Sequence, residues 1–291
     1  MTAAQDPLGA YRGRLLGLAY RMLGSRADAE DVLQDAYMRY ARADRADVDN
    51  IEAYLVTTVT RLCLDQLKSA RAKREVYVGP WLPEPVLDTE SLSPHRALEI
   101  ADDLSFALLL TLERLSAPER AAFLLHDVFD APFTVIAAAL GRSEEACRQL
   151  AARARKAVRA HRPPRVVTRE AHDALLKKFA DAAKSGDASR LQALLAADAM
   201  ALTDGGGKKT AALNPVYGAD KIARFITGIM RKNAAGGRKV ALVHARINGE
   251  AGVLIFIDGA LDSTLSLDSD GERITAVYLV RNPDKLRMLN N

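Results

Sequence analysis

A chain of 291 residues with a formal charge of +4, 49% hydrophobic and 27% charged, is long enough for two or three domains of roughly 100–150 residues, each able to bury a core. No N-terminal run has signal-peptide character and no apolar stretch approaches the ~20 residues of a membrane span, so the expectation is a soluble, cytoplasmic protein without a membrane partner. Cys63 and Cys147 sit in apolar helical patterns and lack metal-site or disulfide spacing, which excludes a disulfide scaffold and reads both as small buried hydrophobes.

From 11 to 74 the apolar residues recur at helical spacing. Within 28–40, Leu33, Ala36, Tyr37 and Tyr40 form a stripe, with Glu30, Asp31, Gln34, Asp35 and Arg39 off it. The segment 43–50 breaks the pattern. Asp49 followed by Glu52 has capping-box spacing and predicts the start of a long helix through Tyr54, Leu55, Val59, Leu62 and Leu67. That helix ends in the basic run Lys68, Arg71, Lys73 and Arg74. Residues 79–94 are proline-rich and carry the single tryptophan in WLPEP at 81–85, so they read as a linker. An exposed indole between stiff neighbours is a preorganised anchor for a pocket, or else packs on its own domains.

Helices are predicted again from about 95 to about 160. In this stretch an apolar helix at 133–140 stops at Gly141, and Ser143 can cap a second helix whose first turn holds Glu144 and Glu145. On that helix Cys147, Leu150, Ala151, Ala154 and Val158 share one face, leaving Arg148, Gln149, Arg155, Lys156 and Arg159 outside. Residues 141–165 hold eight basic side chains against two acidic ones, a focused positive patch that attracts phosphate. This is a helix-turn-helix with a basic outer face. Because 1–165 as a whole balances 23 basic against 23 acidic residues, an acidic surface must offset it, and Asp28, Glu30, Asp31 and Asp35 supply part of one for a second, basic partner.

Beyond 166 the pattern predicts helices at 169–184, 188–196 and 220–233, then strands at 239–247, 252–258 and 273–280 separated by Asn248-Gly249 and Asp270-Gly271 turns. This is an α+β domain.

The first 162 residues resemble an extracytoplasmic-function sigma factor, the promoter-reading subunit of bacterial RNA polymerase. DAEDVLQDAYMRY at 28–40 resembles that family's polymerase-docking helix, and NIEAYLVTTVTRLCLDQLKSARAKR at 50–74 its promoter-melting and −10-reading region. The helix-turn-helix resembles its −35 reader. WLPEP at 81–85, DGGGK at 204–208 and NPDKL at 282–286 together resemble the SigJ-type members, in which a SnoaL-like domain is fused to two sigma domains.

The resemblance implies a multidomain chain: an all-α region 2 bundle at 1–78, a linker at 79–95, a region 4 helix-turn-helix at 96–162 and an α+β SnoaL-like cone at 167–291. It implies polymerase contacts from Asp31, Gln34, Asp35 and Arg39, and capture of a flipped base by the loop before Asn50. For Asn50 a helix cap is an equal reading. Arg61, Lys68 and Arg71 are candidates for phosphates near the −10 element. In the second recognition module Arg148 and Gln149 are placed to read bases, and Arg153 and Lys156 to grip phosphate. Trp81, Leu82, Pro83, Glu84 and Pro85 would meet Asp204, Gly205, Gly206, Gly207 and Lys208, with Asn282, Pro283, Asp284, Lys285 and Leu286 nearby, as an interdomain regulatory contact. A tight turn is an equal reading of DGGGK.

The expected function is therefore promoter-specific initiation by core RNA polymerase, regulated in cis by the cone. No catalysis, cofactor or metal is expected; an unidentified small ligand in the cone is possible. His244, Asp204, Asp258 and Tyr217 are the only candidates for acid–base chemistry, and a lone histidine on an alternating strand is more often structural. The competing reading is a one-component helix-turn-helix regulator that senses a small molecule without joining polymerase.

Overall fold

The computed structural model describes residues 7–43, 48, 50–87, 104–161 and 167–289, with backbone alone at 7–8, 69–75 and 161. The chain forms two compact units. One is built on the helices up to 163, and the other on 164–291 joined by residues 76–90 and 105–107.

In the first unit, helices α1 (Pro7–Leu23), α2 (Arg26–Arg42) and α3 (Ile51–Glu75) pack on one another. Ser25 caps α2 by accepting from the Asp28 amide at 3.2 Å. Ala29, Val32, Leu33, Ala36 and Tyr40 face the core, whereas Tyr37 is 45% exposed. The stripe predicted from sequence thus centres on Val32 and Leu33, which leaves Tyr37 past its edge. The α3 cap is Asn50, whose Oδ1 accepts from the Ala53 amide at 3.0 Å. Asp49 lies outside the described residues, and Glu52 pairs with Arg14 rather than closing a capping box.

Helix α4 (Phe106–Glu113) leads to α5 (Ala117–Phe123), opened by a capping box between Ser116 and Glu119, and α5 continues into a π-helical turn at Leu124–Val128. Helix α6 (Phe133–Leu140) ends at Gly141 in the left-handed conformation (φ 62°), and Ser143 accepts from the Ala146 amide to open α7 (Glu144–His161). Cys147, Leu150, Ala151 and Ala154 are buried, as their spacing predicts, and Val158 on the same face is half-buried.

The second unit has a six-stranded mixed sheet in the order β2-β1-β6-β5-β4-β3. Helices α8 (Arg169–Ser185) and α9 (Ala188–Leu194) precede β1 (Leu195–Asp204) and β2 (Val216–Tyr217); α10 (Ala219–Ala235) leads to β3 (Val240–Ile247), β4 (Glu250–Ile257), β5 (Ala260–Ser269) and β6 (Ile274–Val280). A short helix α11 (Pro283–Leu286) follows. Helix faces carrying Leu176, Phe179, Leu191 and Ile222 pack with Val253, Leu265 and Val277 of the sheet in one core.

Sequence reading placed a helix over 188–196 and no strand after it. The helix ends at Leu194 and the alanine-rich stretch beyond is β1, paired in parallel with β6 (Thr203 opposite Leu279). Strand β5 was also missed, although Asp258-Gly259, both at positive φ (53° and 84°), is a type I′ hairpin signal between β4 and β5.

Candidate functional site

Three sets of residues carry the functional question: the outer faces of α2 and α7, the inner surface of the helical unit, and a clasp on the cone.

On α2, Asp31, Gln34, Asp35 and Arg39 are all exposed and lie beside the exposed apolar side chains Tyr37 and Met38. An acidic rim around an apolar centre is the surface chemistry of a protein interface. On α7, Arg148, Gln149, Arg153 and Lys156 are also exposed. They are not equally available. Arg148 pairs with Glu144 at 2.6 Å and lies over the Phe133 ring, and Arg153 reaches Glu119 at 3.1 Å. The Ser116 hydroxyl and amide, followed by Arg153, hold the Glu119 carboxyl below its ordinary pKa. Arg155, 2.7 Å from Asp127, is likewise engaged. Among the described residues, Gln149 and Lys156 make no such side-chain contact.

Three arginines join the α1–α3 bundle to the helix-turn-helix half of this unit. Arg61 donates to the carbonyls of Ala138 (2.6 Å) and Ala139 (3.4 Å) at the C-terminal end of α6. There it meets the negative end of a helix dipole. Arg14 donates to the Phe129 carbonyl. Arg120, 3% exposed, donates to the carbonyls of Met22 (2.5 Å) and Leu112 (2.9 Å) and to Glu113 (2.8 Å). Arg61, expected from sequence to hold phosphate, is committed to protein carbonyls. Lys68 pairs with Asp65 at 2.8 Å, the Arg71 side chain lies outside the described residues, and so does most of the loop before Asn50.

The clasp is centred on Asp204, fully buried at the end of β1. Its Oδ1 accepts from the Tyr77 hydroxyl (2.6 Å) and the Gly206 amide (3.0 Å); its Oδ2 accepts from the Leu82 amide (2.9 Å) and Lys285 Nζ (2.7 Å). A carboxylate so buried is tolerable because donors surround both oxygens. Burial first, then the Asp204 hydrogen bond, push the Tyr77 hydroxyl pKa up, so it stays a donor. Asn282 donates to Tyr77 Oη at 2.8 Å and caps α11 by accepting from the Asp284 amide. Lys208 pairs with Asp284, whose pKa is held down by that hydrogen bond.

The three glycines are space-filling requirements. A Cβ on Gly205 would lie 2.1 Å from the Lys209 carbonyl oxygen, and one on Gly206 (φ 59°) 2.2 Å from Asn282 Nδ2. Gly207 (φ 71°) lies under Val78. The DGGGK segment is therefore both a tight turn and a place where other chain segments approach closely.

The sequence offered Trp81 either as an anchor or as packing on its own domains; the fully buried side chain of the strap is its neighbour Leu82, with Pro83, Glu84, Pro85 and Val86 also buried. Trp81 is half-buried, with Lys285 Nζ 4.3 Å from its ring centre. The Leu82 amide is itself fixed by Asp204, which holds this residue against the cone. The strap continues with paired hydrogen bonds between Val86 and Asn248 (2.9 and 2.8 Å). Farther on, Phe106 stacks on Tyr278 at 5.5 Å. Tyr77, Asn248 and Phe106 were not singled out from sequence. A tyrosine and a turn asparagine carry no motif, and their partners lie far along the chain.

The acid–base candidates do not converge. His244 is exposed on the edge strand β3, Asp204 is on β1 with three strands between, Tyr217 is 60% exposed, and Asp258 accepts from the Lys239 amide in a turn. Among the described residues no acidic, histidine or cysteine cluster could hold a metal. Both cysteines are buried, and burial pushes the Cys63 thiol pKa up. No described helix is long and apolar enough to cross a membrane.

Comparison with known proteins now gives these surfaces a context. Family models for Sigma-70 region 2 and Sigma-70 region 4 match residues 8–73 and 105–158. The ECF RNA polymerase sigma factor SigJ of Mycobacterium tuberculosis is 39% identical over 95% of this chain and 91% of its own length. The probable ECF RNA polymerase sigma factor SigI of the same species is 32% identical over 97% of this chain and 95% of its own. The crystal structure of the M. tuberculosis SigJ protein superposes with a TM-score of 0.74 at 36% identity, covering 96% of each chain. Sigma regions 2 and 4 bind core RNA polymerase and promoter DNA, and this places the chain with promoter-directing subunits rather than with one-component regulators. Two helical sigma regions followed by a mixed-sheet domain, matched over nearly the full length of a solved relative, make this chain a member of the extracytoplasmic-function sigma factor family.

Proposed function

We propose that this sigma factor is regulated in cis, with the C-terminal cone controlling the strap that connects regions 2 and 4. The observation that carries the reading is the buried Asp204 with its four donors, two of which come from the strap itself. Residues 76–87 are fastened at Tyr77, Leu82 and Val86, and the strap is fastened again at Phe106. With both ends on the cone, the tether available to the two sigma regions is shortened. The −10 and −35 elements are about 25 base pairs apart, or ~85 Å at 3.4 Å each. Arg61, Arg14 and Arg120 hold the two regions within hydrogen-bonding distance, so promoter reading requires this unit to open and the strap to lengthen.

In this reading the domains divide as 1–78, 79–95, 96–162 and 167–291, with the first part of the linker working as a piece of the cone. Asp31, Gln34, Asp35 and Arg39 dock on core polymerase, with Tyr37 and Met38 as the apolar centre. Gln149 reads a base edge, and Arg148 does so after exchanging Glu144. Lys156 and Arg153 hold phosphates, while Arg61, Lys68, Arg71 and Asn50 serve the −10 region once region 4 has moved away. The chain carries out no chemistry of its own and works in the cytoplasm, where core polymerase is.

The test is run-off transcription with bacterial core polymerase and the full chain, comparing wild type with Asp204→Asn and Trp81→Ala at equal concentration. Changed output with unchanged binding to core supports the cis control. Identical output from all three removes it.

A further inference from the structure

The sheet of the cone has two working faces. One carries the clasp; the other lines a cavity of about 550 Å³ that the promoter-reading function leaves unused. Strand alternation separates them. On β1, Thr203 lines the cavity and the next residue, Asp204, holds the strap; on β6, Val277 and Leu279 line the cavity while Tyr278 stacks on Phe106.

We propose that this cavity binds a small apolar monoanion, a carboxylate with a hydrocarbon or aromatic body, and that its occupancy is transmitted to the strap through the end of β1. The size lies in the range of small-molecule sites, ~300–1,000 Å³, and the interior is apolar, walled by side chains such as Phe179, Ile226, Met230 and Ile255. Its polar lining is concentrated at one edge of the sheet, where β1, β4 and β6 end and β3 and β5 begin. That edge presents Lys209, Lys232, Arg238 and Arg281 against a single carboxylate, Asp262.

Asp262 is already matched. Arg281 forks onto it at 3.0 and 3.2 Å and Lys209 lies at 3.3 Å. Burial alone would raise the Asp262 pKa, but these two cations hold it below the ordinary value. Lys232 and Arg238 are left exposed at the mouth, and neither side chain makes a hydrogen bond or ion pair among the described residues. An apolar chamber whose mouth carries an excess of cations selects for a hydrophobic body with one negative head and against a cationic amphiphile.

The path to the strap is short. Thr203 Oγ1 accepts from the Ala212 amide (2.7 Å) and donates to its carbonyl (3.2 Å), and Lys209 to Ala212, the residues directly after DGGGK, line the cavity. Arg281 joins this wall through the Thr210 carbonyl, and its amide donates to the Asp204 carbonyl at 2.7 Å. A ligand head drawing on Lys209 or Arg281 therefore pulls on the turn that shapes the clasp.

The experiment uses the full chain without polymerase and three probes with a ten-carbon chain: decanoate, decanol and decyltrimethylammonium. Equilibrium dialysis measures binding, and the emission of the single tryptophan, Trp81, reports the strap. Expected are at least tenfold tighter binding of decanoate than of decanol, still weaker binding of the cation, and a shift in Trp81 emission that saturates with decanoate occupancy. The Lys232→Ala/Arg238→Ala variant changes only exposed side chains and should lose most of the preference for decanoate. Ile255→Phe, which fills the chamber, should weaken all three probes. Equal binding of decanoate and decanol, best binding of the cation, or no retention at ~1 mM decanoate would overturn the site. Binding with unchanged Trp81 emission would overturn the transmission. The transmission rests on the cis-control reading, whereas the dialysis arm does not, so failure of one is distinguishable from failure of the other.

Discussion

Replacing Asp204 by Asn keeps the shape of the side chain and removes its charge, which isolates the electrostatic part of the clasp. The amide has one acceptor oxygen and one donor nitrogen. If the oxygen stays toward Tyr77 and Gly206, the NH2 group faces two other donors, the Leu82 amide and Lys285 Nζ. Flipping the amide only moves the conflict to Tyr77 and Gly206. Breaking a buried charge pair typically costs ~3–5 kcal/mol. Lys285 is 13% exposed and can recover some water, so the lower end applies, about 3 kcal/mol. At 1.4 kcal/mol per decade, this corresponds to roughly a hundredfold increase in strap opening. Native-state amide hydrogen exchange reads it directly, because Leu82 N–H is protected by Asp204 and Val86 N–H by Asn248. Leu82 should lose about two decades of protection and Val86 distinctly less. Loss of less than threefold at Leu82, in a folded variant, would refute the assignment of Asp204 as the strap's anchor.

Arg120→Leu removes the buried guanidinium that bridges the Met22 and Leu112 carbonyls and the Glu113 carboxylate, and should lower urea stability of the helical unit by about 3–5 kcal/mol, with Arg120→Lys intermediate. Gly206→Ala combines positive-φ strain of ~1–2 kcal/mol with a collision at Asn282, so it should cost clearly more than Gly186→Ala, which has φ 72° but open space. Equal losses on denaturation of the two variants would contradict that geometry. Because the folded pKa of Asp262 is lowered from 3.8, its stabilisation of the cone is complete above the ordinary value and disappears as pH falls through the lower, folded one. Acid titration of thermal stability should therefore show a smaller loss on the acid side in Asp262→Asn than in wild type, with the two curves parallel above about pH 5.

Local chemistry made much of this protein legible before any fold was known. The helix-turn-helix is written in Gly141, Ser143 and the apolar spacing of α7, and each feature acts within one or two turns of chain. Helix α2 is similarly legible, since polar residues off an apolar stripe face solvent whatever lies beyond. The error at Tyr37 arose at the stripe's margin, where 100° per residue separates core from surface only when the partner helices are known. Strand β1 was illegible for a related reason. Its alanines favour a helix locally, and parallel pairing with β6, more than seventy residues later, overrides them.

The sequence by itself determined the three motifs, the basic outer face of α7 and the acidic outer face of α2, because periodicity and capping are properties of neighbouring residues. Only the tertiary structure decided what the motifs do to one another. Asp204 becomes a buried hub when Tyr77, Leu82 and Lys285 arrive from opposite ends of the chain, and Arg61 turns from a free cation into a helix-end donor when α6 packs on α3. A carboxylate or guanidinium has no fixed role until burial removes its water and folding supplies the partners that replace it.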